Sequence, residues 1–197
     1  MGELSLAAID AVTIDAMGTL VRLSDPIPRL AAAAGVSEQD ARRGFEAEVA
    51  YYVPRAHEGR DAASLAELRA RCTAVFNEHA GTSLPAERFM AAIVFEPEPG
   101  ALEAVRRLAA RGLALCVVSN WDCGLGEQLA ALGFRLPVVT SAEAGAVKPD
   151  PAIFRLALER LAVGPGRALH VGDSQADEEG ARAAGMRFAP APLEAIL

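Results

Sequence analysis

A small set of side chains in this sequence combines residue types and positions from which chemistry can be built. Asp15 closes the apolar run at the head of VTIDAMGTL, residues 12–20. Ser119 and Asn120 close the run ending in CVVSN, Lys148 stands in GAVKPDP, and Asp173 and Asp177 share HVGDSQAD. Carboxylates, a hydroxyl, a carboxamide and an amine are the groups that bind charge and exchange protons. Singly, each has an ordinary structural account: a Ser-Asn pair caps a helix, and Gly-Asp makes a turn. Their arrival in order, mostly after β-rich runs, is harder to explain that way. Two positions beyond Asp15 stands Met17, which carries no proton. Lys148 is the only lysine, so amine chemistry has a single candidate.

The elements that must position these groups can be read from periodicity and stop signals. AIDAVTI, residues 8–14, is short, β-branched and apolar, as a buried strand is. Residues 25–95 then turn alanine-rich and helical. Pro26 and Pro28 open a helix that Gly35 closes. Ser37 with Asp40 forms a capping box for a helix to about Val53. A polar loop follows over 54–63, then a helix that Ser64 and Glu67 cap and that ends near His79. Ser83 and Pro85 open a fourth helix, and no strand is expected in this stretch.

After EPEPG, strands and helices alternate. Helices are expected over 101–111, up to Leu132, from Pro151 and up to Ala184. Strands are expected over 113–118, 137–140, 168–171 and 186–189. Such alternation implies βαβ crossovers and a parallel sheet. The expected fold is α/β: a Rossmann-like, doubly wound parallel sheet with an inserted all-α helical cap. Residues 1–20 and 96–197 make the core and 21–95 the cap. In such sheets, function collects at the carboxyl ends of the strands.

Composition narrows the classes. A hydrophobic share of 52% with 23% charged residues fits an ordinary globular chain. A net charge of -7 argues against nucleic acid and anionic membrane as partners. No apolar run approaches the roughly 20 residues of a membrane span. MGELSL has no basic flank, so it makes a poor signal peptide, and a cytoplasmic location is expected. Cys72, Cys116 and Cys123 lack C-x-x-C spacing and read as reduced packing residues.

The ordered set resembles the haloacid dehalogenase-like (HAD) superfamily over nearly the whole chain. IDAMGTL, residues 14–20, resembles its first motif, D-x-D-G-T, and VVSN, residues 117–120, its second. VKPDPAIF, residues 147–154, resembles the lysine motif, and GDSQAD, residues 172–177, the fourth. The resemblance implies a role at each position. Asp15 would be the nucleophile that forms an aspartyl-phosphate. Mg²⁺ would be held by Asp15, Asp173 and the main-chain carbonyl of Met17. Gly18, Thr19, Ser119, Asn120 and Lys148 would bind phosphate, with Lys148 also offsetting the carboxylate charge in catalysis. Asp177 would support Lys148 or a metal-bound water. The helical insert would close over the site. The partner would be a small phosphorylated molecule.

Met17 departs from the phosphatase pattern, whose second aspartate protonates the leaving group and then activates water. Losing general acid–base catalysis costs about 10²–10⁴ in rate. Three kinds of family member lack that aspartate. Phosphonoacetaldehyde hydrolases need a cap lysine, and 21–95 contains none. Transport ATPases need membrane spans. The 2-haloacid dehalogenases expel halide, so Met17 could line their pocket while Arg22, Arg29 or Arg55 binds a carboxylate. Those enzymes use no metal and carry an uncharged residue where Asp173 stands, and a tyrosine in the place of Phe154. Three alternatives therefore stand: a phosphoryl hydrolase limited to good leaving groups, a dehalogenase-like hydrolase, and a phosphate-ligand binder without turnover.

His57 lies in a solvated loop, His79 ends a helix, and His170 is read as structural. Tyr51 and Tyr52 are read as packing residues, and Asp122 as a stabiliser of a helix N-terminus.

Overall fold

The computed structural model describes residues 8–197, so the signal-peptide reading of MGELSL lies outside the described residues. The strands are β1 (Ala11–Ile14), β2 (Val21–Leu23), β3 (Phe95–Pro97), β4 (Ala114–Ser119), β5 (Val138–Thr140), β6 (Ala168–Gly172) and β7 (Arg187–Pro190). The helices are α1 (Ile27–Ala34), α2 (Glu38–Tyr52), α3 (Ala62–Ala80), α4 (Ala86–Ala92), α5 (Ala101–Ala110), α6 (Leu125–Ala131), α7 (Ser141–Ala144), α8 (Pro151–Leu161) and α9 (Gln175–Ala183). The chain divides into two compact units, one built from the chain up to Arg22 with Pro97–Leu197, the other from Leu23–Glu96. None of the helices among the described residues is long and apolar enough to cross a membrane.

In the first unit, five strands form one parallel sheet in the order β5-β4-β1-β6-β7. The chain builds outward from β1 on one side, then returns to build on the other, which is the doubly wound α/β fold. β1 is wholly buried because it is central. The core joins Cys116 and Val118 of β4 and Val139 of β5 to Ile153, Phe154 and Ala157 of α8 and Ala181 of α9. β1 begins at Ala11 rather than Ala8. Asp10 instead pairs its side chain with the guanidinium of Arg167.

The second unit packs Phe76, Phe89, Leu30, Ala41 and Ala80 into its own core, with the Phe76 and Phe89 rings 5.0 Å apart. Gly44 of α2 lets α3 approach closely, since a Cβ there would stand 2.8 Å from Phe76 O and from Ala80 Cβ. Ser37 caps α2 as expected, accepting from the Asp40 amide at 3.1 Å. α3 starts a turn earlier than Ser64 and Glu67 imply. Asp61 is its N-cap, and Ser64 is the reciprocating residue of the box. The first half of the expected loop at 54–63 is a 3₁₀ helix, Val53–Glu58, and its last two residues already belong to α3. There Arg55 lies 4.2 Å over the Tyr51 ring, and Glu58 pairs with Arg71 at 2.6 Å. Arg29 spends its guanidinium on the carbonyls of Ala92 and Ser24. Strands β2 and β3, which fall partly within 21–95, pair with each other and were not expected. Three residues are too few for a period-2 pattern to show.

Candidate active site

β1, β4 and β6 are neighbours in the sheet, and their carboxyl ends deliver Asp15, Ser119 and Asp173 to one place. Asp15 continues the ladder, its amide donating to Val171 O at 2.9 Å, so its side chain is held by strand geometry. Lys148 arrives from the loop before α8. Asn120 grips the backbone of that loop: its Oδ1 accepts from the Lys148 amide at 2.8 Å and its Nδ2 donates to Lys148 O at 3.3 Å. The Asn120 side chain is therefore a brace for Lys148, with one N–H of its amide still uncommitted in these two bonds.

The Lys148 side chain is buried, and its three N–H groups find three acceptors. Nζ donates to Asp15 Oδ1 at 2.6 Å, to Asp177 Oδ1 at 2.5 Å and to Val118 O at 3.3 Å. Burial opposes the charged ammonium, but Asp15 and Asp177 outweigh it and raise the lysine pKa. Asp177 is the third residue of α9. Its Oδ2 accepts from the Ser174 amide at 3.1 Å and the Ser174 hydroxyl at 2.5 Å, which closes a capping box. Burial pushes its pKa up, but hydrogen bonding from His170 and the charge of Lys148 win, leaving it well below the usual carboxylate range.

Asp173 differs. It is exposed, and burial of part of its carboxyl together with the charges of Asp15 and Asp177 raises its pKa. One oxygen from each of Asp15, Asp173 and Asp177 lies within 4.8 Å of the other two. Three carboxylates against one ammonium leave an excess of negative charge. Gly18, at φ +73°, sits so close to Asp173 Oδ2 that a Cβ would overlap it. The donor set is all hard oxygen, with Asp177 already saturated by protein donors, so Asp15 and Asp173 fit a divalent cation such as Mg²⁺.

The turn after Asp15 redistributes the expected phosphate ligands. The Gly18 amide donates to Val21 O at 2.8 Å, and the Thr19 amide to Ala16 O at 3.4 Å. The Thr19 hydroxyl is buried without a partner among the described residues. Gly18 and Thr19 thus shape the turn, and their amides are already engaged. The amides of Ala16 and Met17 make no hydrogen bond among the described residues, and they are the donors left beside Asp15. Ser119, 3% exposed, ends β4 beside them, and the Met17 side chain is 37% exposed.

A family model of the haloacid dehalogenase-like hydrolases matches residues 9–185. The chain belongs to this family. Among HAD-like relatives, it is 43% identical to haloacid dehalogenase-like hydrolase domain-containing protein 3 of Mus musculus over 104 residues, 51% of this chain and 41% of that protein. It is 46% identical to the phosphoserine phosphatase of Thermus thermophilus over 83 residues, 39% of this chain and 33% of that protein. The matched stretch thus spans well under half of each relative's length. The fold matches L-2-haloacid dehalogenase of Xanthobacter autotrophicus with a TM-score of 0.68 at 24% identity, covering 92% of this chain and 77% of that one.

The HAD-like cluster includes two residues that the motifs do not signal. His170 Nε2 lies 3.0 Å from Asp177 Oδ1, and its Nδ1 lies 2.8 Å from Thr13 Oγ1. Thr13 and His170 are register partners of adjacent parallel strands. Only that register, absent from the linear sequence, brings them together. Asp122 accepts from the Gly124 amide at 2.8 Å, in the turn that leads into α6.

Proposed function

We propose that this HAD-like hydrolase is a phosphoryl hydrolase acting through an aspartyl-phosphate at Asp15, on a small phosphorylated metabolite with a good leaving group. The observation that carries this is the convergence of the Asp15 and Asp173 carboxylates, with Lys148 bound to the first. Lys148 occupies Asp15 Oδ1 and turns the carboxylate, so Oδ2 is the attacking atom. The Asp15 Oδ2–P bond forms as the P–O bond to the leaving group breaks, and the leaving group departs as an anion because Met17 donates no proton. Water then attacks the acyl phosphate and releases inorganic phosphate. Ala16 and Met17 amides and the Ser119 hydroxyl receive the phosphoryl oxygens. Mg²⁺, held by Asp15, Asp173 and the Met17 carbonyl, would supply electrostatic stabilisation of the transferring group.

Asp173 weighs against halide chemistry, since an anionic carboxylate repels both a halo-acid and the departing halide. Arg29, one candidate for the substrate carboxylate, is committed to backbone carbonyls. The phosphatase names of relatives also favour phosphate. In this reading the helical segment 21–95 serves as the cap. Cys72, Cys116 and Cys123 are in no disulfide among the described residues, which suits the cytoplasm.

The test is hydrolysis of acetyl phosphate and p-nitrophenyl phosphate with and without Mg²⁺, with Asp15→Asn as the blank. Mg²⁺-dependent turnover that the blank lacks is expected. Equal rates in both proteins remove the nucleophile. Metal-free chloride release from 2-chloropropionate would favour the dehalogenase instead. Protection by phosphate against unfolding, without turnover of any substrate, would favour a binder.

A further inference from the structure

We propose that His170 is a positioning residue for this site: its Nε2–H holds Asp177 so that Asp177 sets Lys148, and Lys148 sets Asp15. The kinetic part of this proposal rests on the phosphoryl-hydrolase reading above. The links are short and buried. Thr13 Oγ1 is 2.8 Å from His170 Nδ1, His170 Nε2 is 3.0 Å from Asp177 Oδ1, Asp177 Oδ1 is 2.5 Å from Lys148 Nζ, and Nζ is 2.6 Å from Asp15 Oδ1. Thr13, His170 and Asp177 are wholly inaccessible.

The partners fix the direction of each bond. Ionised Asp177 only accepts, so Nε2 carries the proton. Burial lowers the His170 pKa and keeps the ring neutral, so Nδ1 is an acceptor and the Thr13 hydroxyl donates to it. Thr13 thereby selects the tautomer. The ring plane is fixed by packing, with Phe154 edge-on at 4.9 Å and 84°.

His170 and Lys148 share Oδ1 of Asp177, while Ser174 holds Oδ2 from the other side. With both oxygens clamped, the carboxylate plane cannot rotate. An ammonium with three fixed acceptors has no freedom either, and the orientation of the Asp15 nucleophile follows. Without the His170 donor, Asp177 Oδ1 keeps Lys148 as its one partner, so the carboxylate can shift within the Ser174 clamp and draw Lys148 away from Asp15. Displacements of this size act on the attack geometry more than on ground-state binding. Outer-shell groups that orient a metal ligand typically change activity about 10–100-fold when removed, and His170, which acts through Asp177 and Lys148, belongs at the lower end of that range.

The test compares His170→Gln with His170→Asn. The glutamine amide nitrogen reaches the place of Nε2, and the asparagine nitrogen reaches only that of Nδ1. His170→Leu, which removes both, is a further control should the asparagine variant not fold. Lys148 is the sole lysine, so ¹⁵N-lysine labelling of the full chain gives one side-chain ammonium signal in NMR. That signal is expected to hold its shift in the glutamine variant, and to move and exchange faster with water in the asparagine and leucine variants. In turnover of p-nitrophenyl phosphate with Mg²⁺, kcat should fall about tenfold or more in those two, with KM within about twofold, and recover in the glutamine variant. An unmoved ammonium in a folded asparagine or leucine variant overturns the proposal, as does a glutamine variant as impaired as the leucine one. If the ammonium responds as expected while wild type shows no turnover beyond Asp15→Asn, positioning stands and the phosphoryl-hydrolase reading falls.

Discussion

Gly18 and Asp173 occupy adjoining space that leaves no room for a methyl group: a Cβ on Gly18 would overlap Asp173 Oδ2. Gly18 also sits at φ +73°, where an L side chain is strained. Gly18→Ala is therefore expected to cost about 1–2 kcal/mol in backbone strain and to push Asp173 away from Asp15. Thermal unfolding with and without Mg²⁺ separates the two effects. The variant should melt lower in metal-free buffer and gain less than wild type from added Mg²⁺. An undiminished gain would mean that Asp173 needs no support from this glycine.

Asp173→Asn should act in opposite directions with and without the cation. The folded pKa of Asp173 is raised, so its ionised form at neutral pH is a liability of the metal-free protein. Any stability it lends is present below the ordinary carboxylate pKa near 3.9 and is lost as pH rises through the folded value. Removing the charge should raise the melting temperature in chelator at pH 7 and abolish stabilisation by Mg²⁺. A lower melting temperature in chelator contradicts the repulsion from Asp15 and Asp177.

Lys148→Met should be strongly destabilising, by about 3–5 kcal/mol, because it leaves buried carboxylates facing one another. The pH sign differs from that of Asp173. The depressed pKa of Asp177 contributes stability above the ordinary carboxylate pKa, lost as pH falls through the folded value. Urea unfolding of wild type should weaken from about pH 5 downward, and the variant should show a flatter acid limb. Parallel acid limbs would show that Lys148 does not hold Asp177 ionised.

Much of this arrangement was legible in the chain, because a doubly wound sheet gathers its chemistry at strand ends. Asp15, Ser119 and Asp173 could be placed from apolar runs alone, and the five strands of the main sheet follow from the same runs. What hydrogen bonding decides was not legible. The turn 16–21 folds its Gly18 and Thr19 amides inward, and Asn120 turns its side chain to the Lys148 backbone. Neither choice has a signature in residue type. Asp61 displaced Ser64 as the cap of α3 because both are good capping residues, three positions apart, and the box uses both. Nothing in the strand sequence marks His170 apart, because its contact with Asp177 depends on its register with Thr13.

Glu48 supplies a prediction for the helical unit. It is buried beside Cys72, and burial pushes its pKa up to about 7 against a smaller opposing hydrogen bond from that thiol. A folded pKa above the ordinary value gives stability that is full below about pH 4.5 and lost as pH rises through about 7. Glu48→Gln keeps the shape and removes the charge. It should flatten that decline and stabilise the protein at pH 8 by an amount on the order of 2–3 kcal/mol. Equal pH dependence of unfolding in the two proteins would show that Glu48 stays ionised or solvated.

Met17→Asp tests the missing proton donor, and the leaving group makes the test specific. The Met17 side chain is 37% exposed, so a shorter carboxylate fits without a cavity in the core. An aspartate there can protonate an alkoxide as it departs and then activate the water that cleaves the acyl phosphate. The first benefit scales with how poor the leaving group is. A sugar phosphate should therefore gain about 10²–10⁴ in kcat, and p-nitrophenyl phosphate, whose phenolate leaves readily, much less. The comparison is one of kcat ratios between variant and wild type, at saturating Mg²⁺, with Asp15→Asn subtracted. Gains that are equal for the two substrates would trace the improvement to water activation alone. No gain on either, in a folded variant, would mean that protonation of the leaving group is not what limits turnover at this site.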